Sequence, residues 1–222
     1  MAQIVDCHAP KYLYRYRSLE KYVKEIKTLR EGYVWCSNYK DKNDPMEGYY
    51  LANEFIEKHP SPDKLYNFIQ YNKERIGLCS FAETGSNELM WAHYANQFRG
   101  IAIEFEVEKL CAFIRDATLA RIRYVDELFE IQYTAGRLGE SLKQVLSCKS
   151  SKWIYEQEWR LFSDIVGRVD YGERSCVSKV YIGARIDPDT RRHLETDLND
   201  LGYRTQQMRL DGYAINWEPE NP

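Results

Sequence analysis

Residues 87–106, NELMWAHYANQFRGIAIEFE, set two structural periods side by side. Trp91, Tyr94, Ala95 and Phe98 fall at i, i+3, i+4 and i+7, the apolar stripe of a helix that Asn87 caps and Gly100 ends. Straight after Gly100, Ile101, Ile103 and Phe105 alternate with Ala102, Glu104 and Glu106. That is the period of a strand with one buried face, and it puts Glu104 and Glu106 on the solvated one. A helix joined by one glycine to an alternating strand, without strict βαβ spacing, indicates a mixed α+β fold.

The rest of the chain extends this pattern. Upstream, Tyr12 to Arg17 alternates as a strand, and Ser18 is expected to cap a helix whose stripe is Leu19, Tyr22, Val23, Ile26 and Leu29. Gly32 closes that helix, and Tyr33 to Ser37 is a short strand. After the turn Asn43–Asp44–Pro45, a tyrosine-rich helix is expected from about Glu47 to Lys58. Ser61–Pro62–Asp63 starts a helix reaching about Arg75, followed by a buried strand from Ile76 to Phe81. Downstream, Val107 to Ala117 and the Leu138, Leu142, Val145, Leu146 segment read as helices, and Arg121 to Val125 as a strand. Glu158 to Ser163 and Lys179 to Ile182 are strands, and Asp187–Pro188 opens a helix that Gly202 ends. Tyr203 to Leu210 and Tyr213 to Trp217 are terminal strands. With no repeat and no linker, residues 1–222 read as a single α+β domain. The expected architecture is a largely antiparallel split sheet flanked by helices.

Composition narrows the function classes. Thirty-one Lys and Arg against 34 Asp and Glu give a net charge of −3, so no bulk attraction to nucleic acid is expected. The longest stretch free of Asp, Glu, Lys and Arg is Leu89 to Phe98, ten residues, against about 20 for a membrane span. Met1 to Pro10 has no apolar signal core, so a cytoplasmic protein is expected. Cys7, Cys36, Cys79, Cys111, Cys148 and Cys176 are scattered without a C-x-x-C pair, and read as reduced and mostly buried. Four dispersed histidines complete no metal cluster, and no metal is expected. Neither G-x-G-x-x-G nor G-x-x-x-x-G-K occurs. Eighteen tyrosines, many beside charged residues, suit half-buried ligand walls.

Four segments carry polar groups beyond structural need. Arg15 and Arg17 share one face of the first strand and suit phosphate or carboxylate. Ser37 and Asn43 flank a loop that can present them to a ligand. His93 lies off the stripe of its helix and can reach a cleft as donor or base. In Lys152–Trp153–Ile154–Tyr155–Glu156–Gln157–Glu158–Trp159–Arg160, an extended chain would align Glu156, Glu158 and Arg160. Two carboxylates so close tend to raise one pKa.

Leu13–Tyr14–Arg15–Tyr16–Arg17, Trp35–Cys36–Ser37, Asn43–Asp44–Pro45–Met46–Glu47, Leu78–Cys79–Ser80–Phe81, Met90–Trp91–Ala92–His93–Tyr94–Ala95 with Gly100 to Phe105, and Tyr155–Glu156–Gln157–Glu158–Trp159–Arg160 together resemble the bacterial family named domain of unknown function 2971 (DUF2971). The resemblance spans a core of about 12–183, with the helix and terminal strands of 187–217 beyond it. More distantly, the order of elements resembles the ADP-ribosyltransferase superfamily: an early arginine (Arg15), a middle serine (Ser80, or Ser37), then a late E-x-E (Glu156, Glu158). That resemblance implies NAD, Glu158 facing an oxocarbenium-like ribosyl cation, and Glu156 orienting or deprotonating the acceptor. It also implies Arg15 on the pyrophosphate and Tyr94 or Trp91 beside the nicotinamide. The acceptor would be a protein or a nucleic acid, or water in an NAD glycohydrolase. Two other readings stand beside it. One is a non-catalytic binding or phage-defence-associated module. The other is a metal-dependent nuclease or phosphohydrolase using Asp44, Glu104, Glu156 and Glu158.

Overall fold

The structure, a computed structural model, describes residues 3–4, 9–131 and 138–219. The alternating strand Ile101–Glu106 sits near the middle of its sheet. It pairs antiparallel with Tyr12–Arg17 on one side and with Val177–Ile182 on the other. Both its faces are covered, so Glu104 is buried rather than solvated. Hydroxyls of Ser178 and Tyr181 donate to its carboxylate, which makes that burial tolerable.

Among the described residues nine strands form the sheet, in the order Gln3–Ile4, Ala117–Arg121, Glu158–Ser163, Gly77–Ala82, Tyr12–Arg17, Ile101–Glu106, Val177–Ile182, Thr205–Asp211 and Ala214–Trp217. Within it the pairings are antiparallel except at Gln3–Ile4 with Ala117–Arg121 and Val177–Ile182 with Thr205–Asp211. The expected α+β class with a largely antiparallel sheet is what the chain adopts. One junction is weak: Tyr12–Arg17 meets Gly77–Ala82 only at Tyr14 opposite Ala82. Past that pair the two strands separate, and the sheet parts.

Helices cover the faces. Tyr22–Glu31 begins after Lys21; Ser18 accepts only a local bond from the Glu20 N–H, so it makes a turn ahead of the helix instead of capping it. Gly32, at φ +66°, ends the helix as expected. Pro62–Arg75 and Pro188–Asp200 start at their prolines, the second with Asp187 accepting from the Thr190 N–H. The largest core cluster lies on the side of the first and last helices, with Ile26, Leu29, Phe105, Leu194 and Leu198 in it. A second gathers Ile56, Leu65, Ile69, Leu142 and Phe162 beneath Pro62–Arg75 and Leu138–Val145.

Three expected elements differ. The helix expected from Val107 to Ala117 ends at Phe113; Asp116 takes φ +54°, and Ala117 opens the strand Ala117–Arg121. From Glu47 to Lys58 there is no continuous helix. Gly48 takes φ +75°, Leu51–Ala52 pairs with Glu130–Ile131, and Asn53 caps a single turn, Glu54–Glu57. The Asn87-capped helix stops at Tyr94, well before Gly100. Asn96, Gln97 and Phe98 all take positive φ, turning the chain sharply into the sheet at Gly100. A Cβ at Gly100 would lie 2.2 Å from the Arg17 carbonyl, so the chain enters the sheet where only glycine fits.

Gly77 is equally constrained: a Cβ there would stand 2.0 Å from the Ile165 carbonyl oxygen and 2.9 Å from the Cys36 Cβ. Gly77→Ala is expected to destabilise the protein by about 1–3 kcal/mol, read as a lower urea midpoint with unchanged slope.

Candidate functional site

Where the sheet parts, a half-open cleft of about 300 Å³ forms. Arg15 and Arg17 approach it from one strand, and Cys79 and Ser80 from the strand that has drawn away. The segment from Ser37 to Glu47 closes another side, and Tyr94 stands at its rim. Such a volume is at the lower end for small-molecule clefts, which run to about 1,000 Å³.

The wall behind the cleft is a buried charge cluster. Arg160, only 1% exposed, lies on the interior strand Glu158–Ser163. Its guanidinium bonds both oxygens of Glu158, at 2.8 Å each, and Glu47 Oε1 at 2.6 Å. It also donates to the Leu146 carbonyl at 2.6 Å. Lys149 Nζ adds a second cation, 2.5 Å from Glu156 and 3.5 Å from Glu158. The Glu158 N–H donates to the Tyr124 hydroxyl.

The two carboxylates of E-x-E are driven apart. Burial alone would raise Glu158, but Arg160, Lys149 and Lys42 outweigh it and hold the acid down at about 2. Glu156 goes the other way: burial raises it, the Glu158 charge adds to that, and the favourable contacts with Lys149 and Tyr94 do not fully compensate. Tyr94 donates a short hydrogen bond to Glu156 and accepts one from Asn43 Nδ2 at 2.5 Å, a clasp across the rim. One carboxylate therefore stays charged at neutral pH, and its neighbour takes up a proton more readily.

The cations are not equivalent. Of the five basic side chains lining the cleft, Arg17 is matched by Glu25, and Lys149 and Arg160 by the buried glutamates. Among the described residues, Arg15 and Lys42 have no carboxylate partner. Arg15 bonds the Trp35 carbonyl at 3.3 Å. Lys42 Nζ donates to the Leu78 carbonyl at 3.1 Å and to Ser80 Oγ at 3.2 Å. Ser80 stands beside Glu158 and helps to hold its pKa down. Desolvation and the nearby Arg160 charge bring Lys42 down to about 8. Arg15 and Lys42 are thus the cations left to meet an anion.

Of the residues singled out from sequence, Arg15, Arg17, Ser37, Asn43, Ser80, Tyr94, Glu156 and Glu158 line this cleft. Trp91 does not: its side chain is fully buried against Tyr16 and Phe98, with its N–H on the Gly85 carbonyl, so it cannot flank a ligand ring. His93 is exposed, beside Tyr94 and Tyr155 and outside the lining. The 152–160 run is not extended throughout. Ser151–Glu156 is a tight 3₁₀ turn, and Gln157 at φ +43° swings the chain into the strand. Glu156 and Glu158 still converge, because Lys149 bridges them. Of the four proposed metal ligands, Glu104 is bound by Ser178 and Tyr181 and Asp44 lies outside the cleft lining. Among the described residues no group of three or more His, Cys, Asp or Glu is arranged to hold a metal ion. Sequence reasoning passed over Lys42, Lys149 and Glu47 as site residues. Glu47 ends a motif already noted, whereas Lys42 and Lys149 carry no local signal.

Breaking the cluster exposes its energetics. Arg160→Met strands two buried carboxylates and is expected to cost about 3–5 kcal/mol by chemical denaturation. The acid side has a defined sign. Glu158 titrates at about 2 when folded rather than the ordinary 4.5, so its contribution is full at neutral pH and drains away as pH falls from 4.5 towards 2. Between pH 5 and pH 3 the wild type should lose more stability than Glu158→Gln; equal losses would contradict the assignment.

Residues 90–161 match the family model described as "Protein of unknown function (DUF2971)". The match runs from the Tyr94 helix through Glu156, Glu158 and Arg160, and leaves Arg15, Ser37, Asn43 and Ser80 outside it. No curated protein and no solved structure matches the chain. Among the described residues, no helix is long and apolar enough to cross a membrane.

Proposed function

We propose that the cleft takes a nicotinamide dinucleotide as substrate and breaks its nicotinamide–ribose bond, passing ADP-ribose to a protein or nucleic-acid acceptor or to water. One observation carries the reading. Arg15, Ser80 and Glu158 stand on three neighbouring strands around a single cleft, although 143 positions of sequence separate the first from the last. The order is that of the ADP-ribosyltransferase elements.

The chemistry follows from the charges. As the bond breaks, nicotinamide leaves with the electron pair and positive charge passes to the ribose C1. A carboxylate fixed beside C1 stabilises that cation more than the ground state. Glu158 meets the requirement, held ionised at about 2 and immobilised by Arg160. Ser80 and Lys42, bonded to each other, favour its charged form from the cleft side. The acceptor's lone pair then bonds C1, and its proton passes to Glu156, whose raised pKa suits a base. Arg15 and Lys42 face the pyrophosphate, and Tyr14, Trp35 and Tyr94 supply aromatic walls.

A binding module without turnover is the second reading. It is favoured by the closure of Glu158 within its ion pairs, at 3% exposure.

Calorimetry with ADP-ribose and a nicotinamide-release assay with NAD separate the two readings. Arg15→Ala should weaken ADP-ribose binding about tenfold to a hundredfold. Glu158→Gln should bind ADP-ribose yet release nicotinamide about a hundredfold to a thousandfold more slowly. Ser80→Ala, a milder change beside the same carboxylate, should lower the rate without loss of fold. Wild-type binding without release would establish the module, and no binding at millimolar ADP-ribose would overturn the dinucleotide reading.

A further inference from the structure

Beneath the cleft lie two cysteines that the proposed reaction does not use. Ser37 and Leu78 form an antiparallel bridge with both backbone hydrogen bonds made, at 2.9 and 2.8 Å. That register puts Cys36 directly opposite Cys79, one position on. Next to a hydrogen-bonded pair comes a non-hydrogen-bonded one, where facing Cα atoms approach to about 4.5 Å. Disulfides span Cα separations of about 4.4–6.8 Å, a range that facing cross-strand positions reach.

The local chemistry makes the two thiols unequal. Cys79 borders the cleft with 1% of its surface exposed, whereas Cys36 is fully buried behind it. Desolvation opposes ionisation of Cys79. The adjacent Cys36 thiol and the charges of Arg15, Lys42 and Arg17 overcome it and hold Cys79 below the usual thiol range. The neighbouring Cys79, together with burial, pushes Cys36 up and keeps it protonated. A thiolate facing a cleft with a protonated thiol against it is the arrangement of an attacking and a resolving cysteine.

We propose that Cys36 and Cys79 form a thiol-modification site, oxidised by hydrogen peroxide entering the cleft to a reversible cross-strand disulfide. The Cys79 thiolate attacks one peroxide oxygen, the O–O bond breaks, and hydroxide leaves, giving a sulfenic acid. The Cys36 sulfur then attacks the Cys79 sulfur. Its proton and the sulfenic hydroxyl leave together as water, and the S–S bond closes. Two sulfurs have lost one electron each, and the peroxide has taken both. The bond would add a covalent tie between Tyr33–Cys36, with the Ser37–Glu47 wall that follows, and the sheet, next to the Ser37–Leu78 bridge. It also removes a negative charge from among Arg15, Arg17 and Lys42. This charge effect, unlike the disulfide, rests on the dinucleotide reading: oxidised protein should bind ADP-ribose about tenfold more tightly.

The test is intact and peptide mass spectrometry of the full chain after limiting peroxide. The expected result is a mass lower by two hydrogens, a cross-link between the peptides holding Cys36 and Cys79, and full reversal by dithiothreitol. Cys36→Ser should stop at a sulfenic acid on Cys79, trapped by dimedone, and Cys79→Ala should give neither product. Cys148→Ser should behave as wild type. Oxidation first at another cysteine, or a cross-link lacking Cys36 or Cys79, would overturn the proposal. If the cross-link forms while ADP-ribose binds neither redox state, the disulfide stands and the dinucleotide reading falls.

Discussion

Arg160 is a guanidinium with almost no contact with water, and the cleft is built around what it requires. Burying such a charge is costly unless carboxylates and carbonyls replace its hydration. Glu158 comes from its own strand, Glu47 from the segment beyond the first turn, and the Leu146 carbonyl from the end of the helix Leu138–Val145. One side chain therefore fixes three separate pieces of chain against each other. Lys149 extends the arrangement to Glu156, and Tyr94 and Asn43 close it at the rim.

The same cluster sets the reactivity of its neighbours. Because three cations act on Glu158, that acid is locked in its charged form. Glu156, sharing the enclosure but with fewer opposing charges, is pushed the other way. Arg160 also bears on Lys42, and Lys42 on Cys79, so the fields that hold the wall together reach the floor of the cleft. The arrangement persists only because the sheet parts after Tyr14 and Ala82. Had the two strands stayed paired, side chains would have filled the space now lined by charge.

Most regular elements were legible because their signals are local. Asn87, Gly32, Asp187 and the prolines at 62 and 188 mark helix ends through their own backbone and side-chain chemistry. The elements that escaped are those settled by distant partners. The 47–58 stretch has helical composition, but its pairing with Glu130–Ile131 and its burial of Ile56 break it into pieces. The stripe from Trp91 to Phe98 is apolar throughout, yet the helix unwinds at Tyr94 because Gly100 must pass beside the Arg17 carbonyl. Glu104 looked solvated because alternation reports a period, whereas strands on both sides and covered faces decide its burial.

The sequence by itself determined the α+β class, the order of most strands and helices, and the residue types able to meet a ligand: Arg15, Ser80 and E-x-E. Of these, Arg15 suits the anionic part of a ligand and E-x-E a cationic one; all follow from periodicity, caps and side-chain chemistry, which act over a few residues. Tertiary structure decided which of them share a space. It put Trp91 in the core and His93 outside the cleft, and it brought in Lys42, Lys149 and Glu47. It also set Cys36 against Cys79. The physical reason is that burial and electrostatic fields depend on distance in space, and strand register, which no local pattern encodes, sets those distances.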